Sequence, residues 1–328
     1  MIFYKYHLKK YTNIQTEDKI KLIYQGMLGP NHLNLNKDMV KPRIEKELTE
    51  ECNIHENVYE WVSSDYIRVN ICKYNELNNS IDDLVNNFVK SSNTSLYTID
   101  DLKKELNIYL TANELKDYNY QPISHSNIYR NIYLPHYLVI NQEYLEISLR
   151  IQNLDNFMMK TKEYTITSVE GKCTSGKTTI TSTLANKYTV IQIDQFFLSK
   201  DRKTKERLAE IGGNIDYELV KENLQKIKKA WYNNQDKVEM KVYDCSTNTY
   251  HQEVIELKNK VILEGVYSYH KYFNNLIDYL VYIYVDEKTQ LERVNKRIMK
   301  ERFINEWIPL ENKYFDDYKL YDICDLII

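Results

Sequence analysis

The chain has 328 residues, 43% hydrophobic and 28% charged, with 44 Lys+Arg against 47 Asp+Glu for a formal net charge of −3. That is the balance of a globular chain with material for a core, and a prior of about 150 residues per domain suggests about two domains. Near-neutral charge excludes a global basic field for nucleic acid or an anionic membrane, so small molecules are the expected partners.

Five cysteines (Cys52, Cys72, Cys173, Cys245, Cys324) are scattered, odd in number and without a C-x-x-C pair, the pattern of reduced thiols in a cytoplasm. The opening MIFYKYHLKK has no apolar h-region, and no segment reaches about 18 uninterrupted apolar residues. Neither secretion nor membrane crossing is expected, and the expected localisation is cytoplasmic.

Glycine is scarce, at seven residues, so each one marks a place where the backbone needs unusual freedom. Gly26 and Gly29 fall in QGMLGPNHL, Gly171 and Gly176 in VEGKCTSGKTTI, Gly212 and Gly213 in IGGNIDYE, and Gly265 after KVILE. In the first half, spacing near three to four predicts helices over 15–27, 37–51, 56–63, 80–91 and 99–117. A strand at Ile67–Cys72 interrupts them, and TANELKDYNYQPISHSN carries loop signals. A mainly helical domain, α or α+β, is therefore expected over 1–155, with the junction at 150–163, where no Pro/Gly/Ser linker stands. From 164 on, short apolar runs alternate with amphipathic stretches: YTITSV, 177–187, TVIQI, 216–232, KVEMKVYD, KVILEG, YLVYIYVD, 286–303 and DICDLII. Such alternation predicts an α/β domain over 160–328, a doubly wound parallel sheet with helices on both faces.

Gly171-Lys-Cys-Thr-Ser-Gly-Lys-Thr178 satisfies G-x-x-x-x-G-K-[ST], directly after a strand and opening a helix. Backbone and side-chain donors across Gly171, Thr174, Ser175, Gly176, Lys177, Thr178 and Thr179 are expected to face the phosphates of a nucleotide. Lys177 would meet the β/γ oxygens, and the Thr178 hydroxyl would meet Mg²⁺. A guanine-selecting N-K-x-D would follow a strand. Asn312-Lys-Tyr-Phe-Asp316 has the wrong spacing and no strand before it, which counts against a GTPase and leaves the preference between ATP and GTP open. Carboxylates end the neighbouring strands, Asp194 after TVIQI and Glu264 after KVIL, at the edge where ligands of parallel sheets collect. Asp194 suits a base for an acceptor hydroxyl and a contact to the metal, and Glu264 suits Mg²⁺ through water.

The segments IDQFF (193–197), NIDYELVKENL (214–224), VYD (242–244), VILEG (261–265), YIYVDEKTQLERVNKRIMKER (282–302) and the closing CDLII resemble, in order, those of the uridine kinase group of P-loop kinases. The likeness covers roughly 160–328. It implies that Asp194 is the catalytic base near the acceptor hydroxyl, that Asp216 binds ribose hydroxyls, and that Tyr243 lines the nucleoside pocket. It places Lys296, Arg297, Lys300 and Arg302 on a lid helix whose arginines clamp ATP phosphates. The chain departs from the group where Gln195-Phe196-Phe197 replaces the usual Phe-Tyr, and where Cys245-Ser-Thr-Asn-Thr-Tyr-His251 lacks the early His and the Arg that follow VYD. These departures support kinase chemistry better than pyrimidine specificity.

The expected function is ATP- and Mg²⁺-dependent phosphoryl transfer to the hydroxyl of a nucleoside or similar small molecule. A sugar or cofactor precursor is the alternative acceptor, and a nucleotide-responsive regulatory module with weak ATPase activity is the rival of another class. Homo-oligomerisation is left open. In the first half, QGMLGPNHL carries His32, and PISHSNIYRNIYLPH supplies His125, Tyr129, Arg130 and His136. These groups suit an anionic or hydroxylated ligand, or else helix caps. No two of the histidines 32, 125 and 136 have helical ligand spacing, which weighs against a metal site.

Overall fold

The structure, a computed structural model, describes residues 2–31, 33, 36–50, 57–93, 97–244 and 246–328. His32, Cys52 and Cys245 lie outside the described residues. The chain divides into two compact units, Met1–Asn156 and Phe157–Ile328, and the division falls within the helix Ile147–Lys160.

The first unit is α+β. Strands β1 (Tyr59–Trp61), β2 (Tyr66–Asn70) and β3 (Tyr137–Asn141) form an antiparallel sheet in that order. Where a helix was expected over 56–63, β1 pairs Tyr59 with Val69 and Trp61 with Ile67. The aromatic and β-branched side chains of VYEWV fit a pleated surface, and tertiary pairing overrides their helical spacing. The strand expected to reach Cys72 ends at Asn70, whose side chain accepts from Lys73 N at 2.8 Å and caps the helix Ile71–Glu76. Similarly, the helix expected over 99–117 stops at Tyr109, and a Thr111–Glu114 capping box starts a separate turn, Ala112–Leu115. Helices Ile2–Lys10 and Asn127–Tyr133, and strand β3, had no counterpart in the sequence reading. Cys72 is disulfide-bonded, which corrects the expectation of reduced thiols throughout; Cys173 and Cys324 are not in disulfides.

Apolar burial ties these elements together. Helix Thr16–Leu28 sets Ile20, Ile23 and Tyr24 against Leu102 and Leu106 of helix Ile99–Tyr109. Helix Ile81–Ser92 buries Leu84, Val85 and Phe88 and packs on β3. Each such side chain stabilises by about 1.5–3 kcal/mol.

In the second unit, β4 (Thr165–Glu170), β5 (Thr189–Gln192), β8 (Lys260–Glu264), β9 (Tyr279–Tyr282) and β10 (Leu326–Ile327) form one parallel sheet in the order β10-β9-β4-β8-β5. Strands β6 (Lys237–Asp244) and β7 (Thr249–Glu256) form a separate antiparallel hairpin, so KVEMKVYD is a strand but stands outside the parallel sheet. The central β4 is buried along its whole length, as a strand covered on both faces must be. Lys260 Nζ donates to the carbonyls of Met158 (2.7 Å), Met159 (3.2 Å) and Thr161 (2.9 Å), capping the end of helix Ile147–Lys160. The basic stretch 286–303 is helical only over Glu287–Val294 and Lys300–Arg302, and a π-helical turn, Phe303–Trp307, leads into helix Ile308–Tyr318. Among the described residues, no helix is long and apolar enough to cross a membrane.

Buried histidines make the stability of the first unit pH-dependent. Burial pulls His125 down to about 4 from 6.5, with the hydrogen bond to Asp18 opposing that fall. The unfolded chain therefore binds a proton that the folded one refuses. The contribution of His125 is complete above pH 6.5 and is lost as the pH falls towards 4. Replacing His125 by Gln should make the stability gap between wild type and variant shrink over that range, by up to about 1.4 kcal/mol per pH unit. Denaturant titrations at pH 7 and 5 check this, and a pH-independent gap counts against it.

Candidate active site

The loop after β4 sits at the point where the chain's connections change direction: β4 is central, the chain proceeds first to the β5–β8 side and later to the β9–β10 side. Ligands of doubly wound sheets bind at such a switch point, outside the carboxyl ends of the strands.

The loop's shape depends on two glycines. Gly171 has φ of +152°, and a Cβ there would stand 2.5 Å from Ile283 O and 2.9 Å from Ser175 Oγ. Gly176 has φ of +98°, and a Cβ there would meet no atom within 4 Å, so that residue borders open space at the head of helix Lys177–Thr183. Between them, Thr174 takes a left-handed φ of 60°.

Groups far along the chain brace the loop. Glu311, buried, accepts from Cys173 N at 2.7 Å. Gln290, also buried, donates Nε2 to Cys173 O at 3.3 Å, and its own carbonyl accepts from Thr174 Oγ1 at 3.4 Å. Arg293 donates Nη1 to Thr174 O at 2.8 Å. None of these three was among the expected site residues. Gln290 and Arg293 lie in the segment 282–302 that carries the resemblance, but nothing in the sequence singled out any of the three, because the contacts join positions more than 110 residues apart.

Lys177 donates to Gly171 O at 2.7 Å and Lys172 O at 2.9 Å. Thr178 Oγ1 donates to Glu264 Oε1 at 3.0 Å. Burial raises the pKa of Glu264; Lys177 and Thr178 oppose that rise and Asp194 adds to it. Asp194 lies in the 3-10 turn Ile193–Phe196 after β5 and is accessible to solvent as a residue. The protein around its carboxyl still raises its pKa, with Lys177 opposing. Both carboxylates thus stand within the field of one ammonium group. Ser175 Oγ is buried and lacks a partner, while Thr179 is exposed in the first helical turn.

These residues fit a nucleotide and its metal. The open space at Gly176, the orphaned Ser175 hydroxyl and Lys177 suit phosphate oxygens. Among the described residues no three His, Cys, Asp or Glu groups cluster to hold a metal. Mg²⁺ needs no such cage, since it keeps several waters and takes one or two protein oxygens, which Thr178 and Glu264 would supply.

The remaining candidates are differently placed. Residues 197–215 form an excursion closed at its neck by the Phe197–Ile215 bridge, and Asp216 N donates to Phe196 O at 2.7 Å, which sets Asp216 beside the turn bearing Asp194. The Asp216 carboxylate is heavily engaged. It caps helix Tyr217–Tyr232 through Leu219 N (3.2 Å), pairs with Arg202, and accepts from Tyr250 OH at 3.2 Å. Tyr243 is buried, its hydroxyl donates to Asn248 Oδ1 at 3.2 Å, and its ring lies 5.0 Å from that of Tyr250. Asp216 and Tyr243 are therefore linked through Tyr250. Arg297 is exposed, and Arg302 pairs with Glu306 at 2.9 Å over the Trp307 ring. Neither is seen at the phosphate loop, where Arg293 is.

At the end of β4, Glu170 is fully buried. Its Oε1 accepts from Tyr269 N (2.8 Å) and Tyr314 OH (2.7 Å), and its Oε2 has no partner. Burial outweighs these hydrogen bonds and pushes the carboxyl up to about 7 from 4.5. The folded state holds this proton more tightly, so its contribution to stability is full below pH 4.5 and lost as the pH rises through 7. Glu170→Gln, which mimics the protonated form, should raise the melting temperature more at pH 8 than at pH 5. A shift of the same size at both would show that Glu170 does not titrate there.

No protein-family model and no curated protein matches the chain. Among solved structures it is similar to a protein provisionally described as a uridine kinase from Bacillus stearothermophilus, at 18% identity and a TM-score of 0.45, covering 56% of this chain and 100% of the other. It is also similar to one provisionally described as a fructose transport system kinase from Silicibacter sp. TM1040, at 14% identity and a TM-score of 0.40, covering 56% of this chain and 99% of the other.

Proposed function

We propose that the second unit is an ATP- and Mg²⁺-dependent kinase transferring the γ-phosphate to a hydroxyl of a small molecule. The observation that carries this reading is the meeting of Lys177, the Thr178–Glu264 pair and Asp194 at the carboxyl ends of β4, β8 and β5. Bound Mg²⁺ would neutralise charge on the β and γ phosphates. Lys177 would turn from the loop carbonyls to the phosphate oxygens, and the loop backbone would hold them in line with the acceptor. Asp194 would accept the proton of the acceptor hydroxyl, a role that its raised pKa and its access to solvent suit. Such catalysis is mostly positioning and electrostatic stabilisation.

The engagement of Asp216 by Arg202 and Tyr250 favours an acceptor other than a pyrimidine nucleoside, such as a sugar or cofactor precursor. A nucleoside would have to displace Arg202 to reach that carboxylate.

ADP formation with Mg²⁺-ATP should be stimulated by one class in a panel of nucleosides, sugars and cofactor precursors. Lys177→Ala should abolish that stimulated turnover. Asp194→Asn should keep ATP binding and lose about 100-fold or more in kcat. Slow hydrolysis that no acceptor stimulates would favour a nucleotide-responsive regulatory module, and undiminished turnover in Lys177→Ala would remove the phosphate-loop assignment.

A further inference from the structure

The first unit contains a cleft of about 760 Å³, within the size range of small-molecule sites. The two segments that stood out in this half, 25–33 and 122–136, both line it. Gly29 takes part because nothing larger fits: its φ is +52°, and a Cβ there would stand 2.3 Å from the Tyr66 ring.

The apolar lining of the cleft includes Val40, Ile44, Phe88 and Val139. Its polar floor includes Gln25, Tyr137 and His125, links in a longer chain of hydrogen bonds. Arg68 donates to Gln25 Oε1 (2.7 Å), Gln25 Nε2 donates to Tyr137 OH (3.2 Å), and Tyr137 OH lies 2.5 Å from His125 Nε2. His125 Nδ1 lies 2.8 Å from Asp18 Oδ1. Hydrogen bonds from His125, Ser126 and Gln15 overcome burial and hold Asp18 ionised, at about 2, so Nδ1 carries the proton and Nε2 accepts from Tyr137. The floor is thus locked before any ligand arrives.

Charge at this end is out of balance. Asp18, the nearby carboxylate, is used up: Oδ1 accepts from His125 and Ser126 N (2.9 Å), and Oδ2 from Ser126 Oγ (2.6 Å) and Gln15 N (3.0 Å). Lys21 donates to Ile123 O at 2.9 Å and has donors to spare, and Arg130 is exposed. Among the described residues neither is ion-paired with a carboxylate. Of the other carboxylates lining the cleft, Glu47 is shared by Arg43 (3.1 Å) and His136 (3.6 Å), and Glu50 is exposed. Burial, together with the charges of Arg68 and Arg130 and against that of Asp18, pulls Lys21 down to about 8.

We propose that this cleft binds a small anion with an apolar body, its phosphate or carboxylate held by Lys21 and Arg130 over the Tyr137–His125 floor, its body against Val40, Ile44 and Phe88. The ligand supplies the anionic partner that Lys21 and Arg130 lack among the described residues. The site is independent of the phosphate loop and does not rest on the kinase reading.

Calorimetric titration of the full chain carrying Lys177→Ala, which disables the phosphate loop, tests the proposal with phenyl phosphate, benzoate and benzyl alcohol as probes. At least one anion should bind at least about tenfold more tightly than the neutral alcohol. Lys21→Gln and Arg130→Gln should each weaken that anion by about tenfold, while Lys228→Gln, in the other unit, leaves it unchanged. Near pH 8.5, binding should take up a fraction of a proton as Lys21 becomes charged, seen as a dependence of the heat on buffer ionisation. Preference for phenyl phosphate over benzoate would identify a phosphate site, and the reverse a carboxylate site. If neither anion outbinds the alcohol, or if both substitutions leave affinity intact in variants with wild-type melting temperatures, the proposal is overturned.

Discussion

The second unit is organised around a single ammonium group. Lys177 is buried, and its charge opposes the rise that burial imposes on the carboxyls of Glu264 and Asp194. A buried cation is tolerable only with acceptors at hand, and the carbonyls of Gly171 and Lys172 provide them. The geometry around that ion follows from the parallel sheet. Strands β8 and β5 lie in succession on one side of β4, so their ends bring Glu264 and Asp194 to the same edge as the loop.

Such a loop needs support, because its left-handed residues and open backbone are costly in isolation. Support comes from the C-terminal helices. Gln290 and Arg293 on helix Glu287–Val294, and Glu311 on helix Ile308–Tyr318, hold Cys173 and Thr174 in place. Residues that a surface reading would call a basic stretch therefore divide by register. Arg293 reaches the loop, while Arg297 and Arg302 point to solvent or to their own helix.

In the first unit the dominant constraint is also polar. Arg68, Gln25, Tyr137, His125 and Asp18 form one hydrogen-bonded series running from a buried cation to a buried anion. Buried networks of this kind are favourable only when every member is satisfied, and then they fix a unique arrangement. Here that arrangement joins the helix Thr16–Leu28 to β2 and β3 and to the segment before helix Asn127–Tyr133, and so shapes the cleft.

The loop after β4, the doubly wound sheet and the placing of Asp194 and Glu264 at strand ends were legible in the sequence because they are local: a spacing of glycines, a run of apolar residues, an acid at a strand's end. Helix–strand alternation likewise gave the α/β class of residues 160–328. What the sequence did not decide depends on contacts between distant positions. Tyr59–Trp61 became a strand because β2 was there to pair with it, and β3 completed that sheet from 70 residues away. Asp216 was legible as an acid near the candidate site, yet its engagement by Arg202 and Tyr250 comes from the closed neck of a loop and from a hairpin. The sequence alone determined the chemistry available at the sheet edge, since motif spacing is a property of the chain. Tertiary structure decided which arginine meets the loop, which acids are already spent and where the cleft lies, since burial and charge balance belong to neighbours in space.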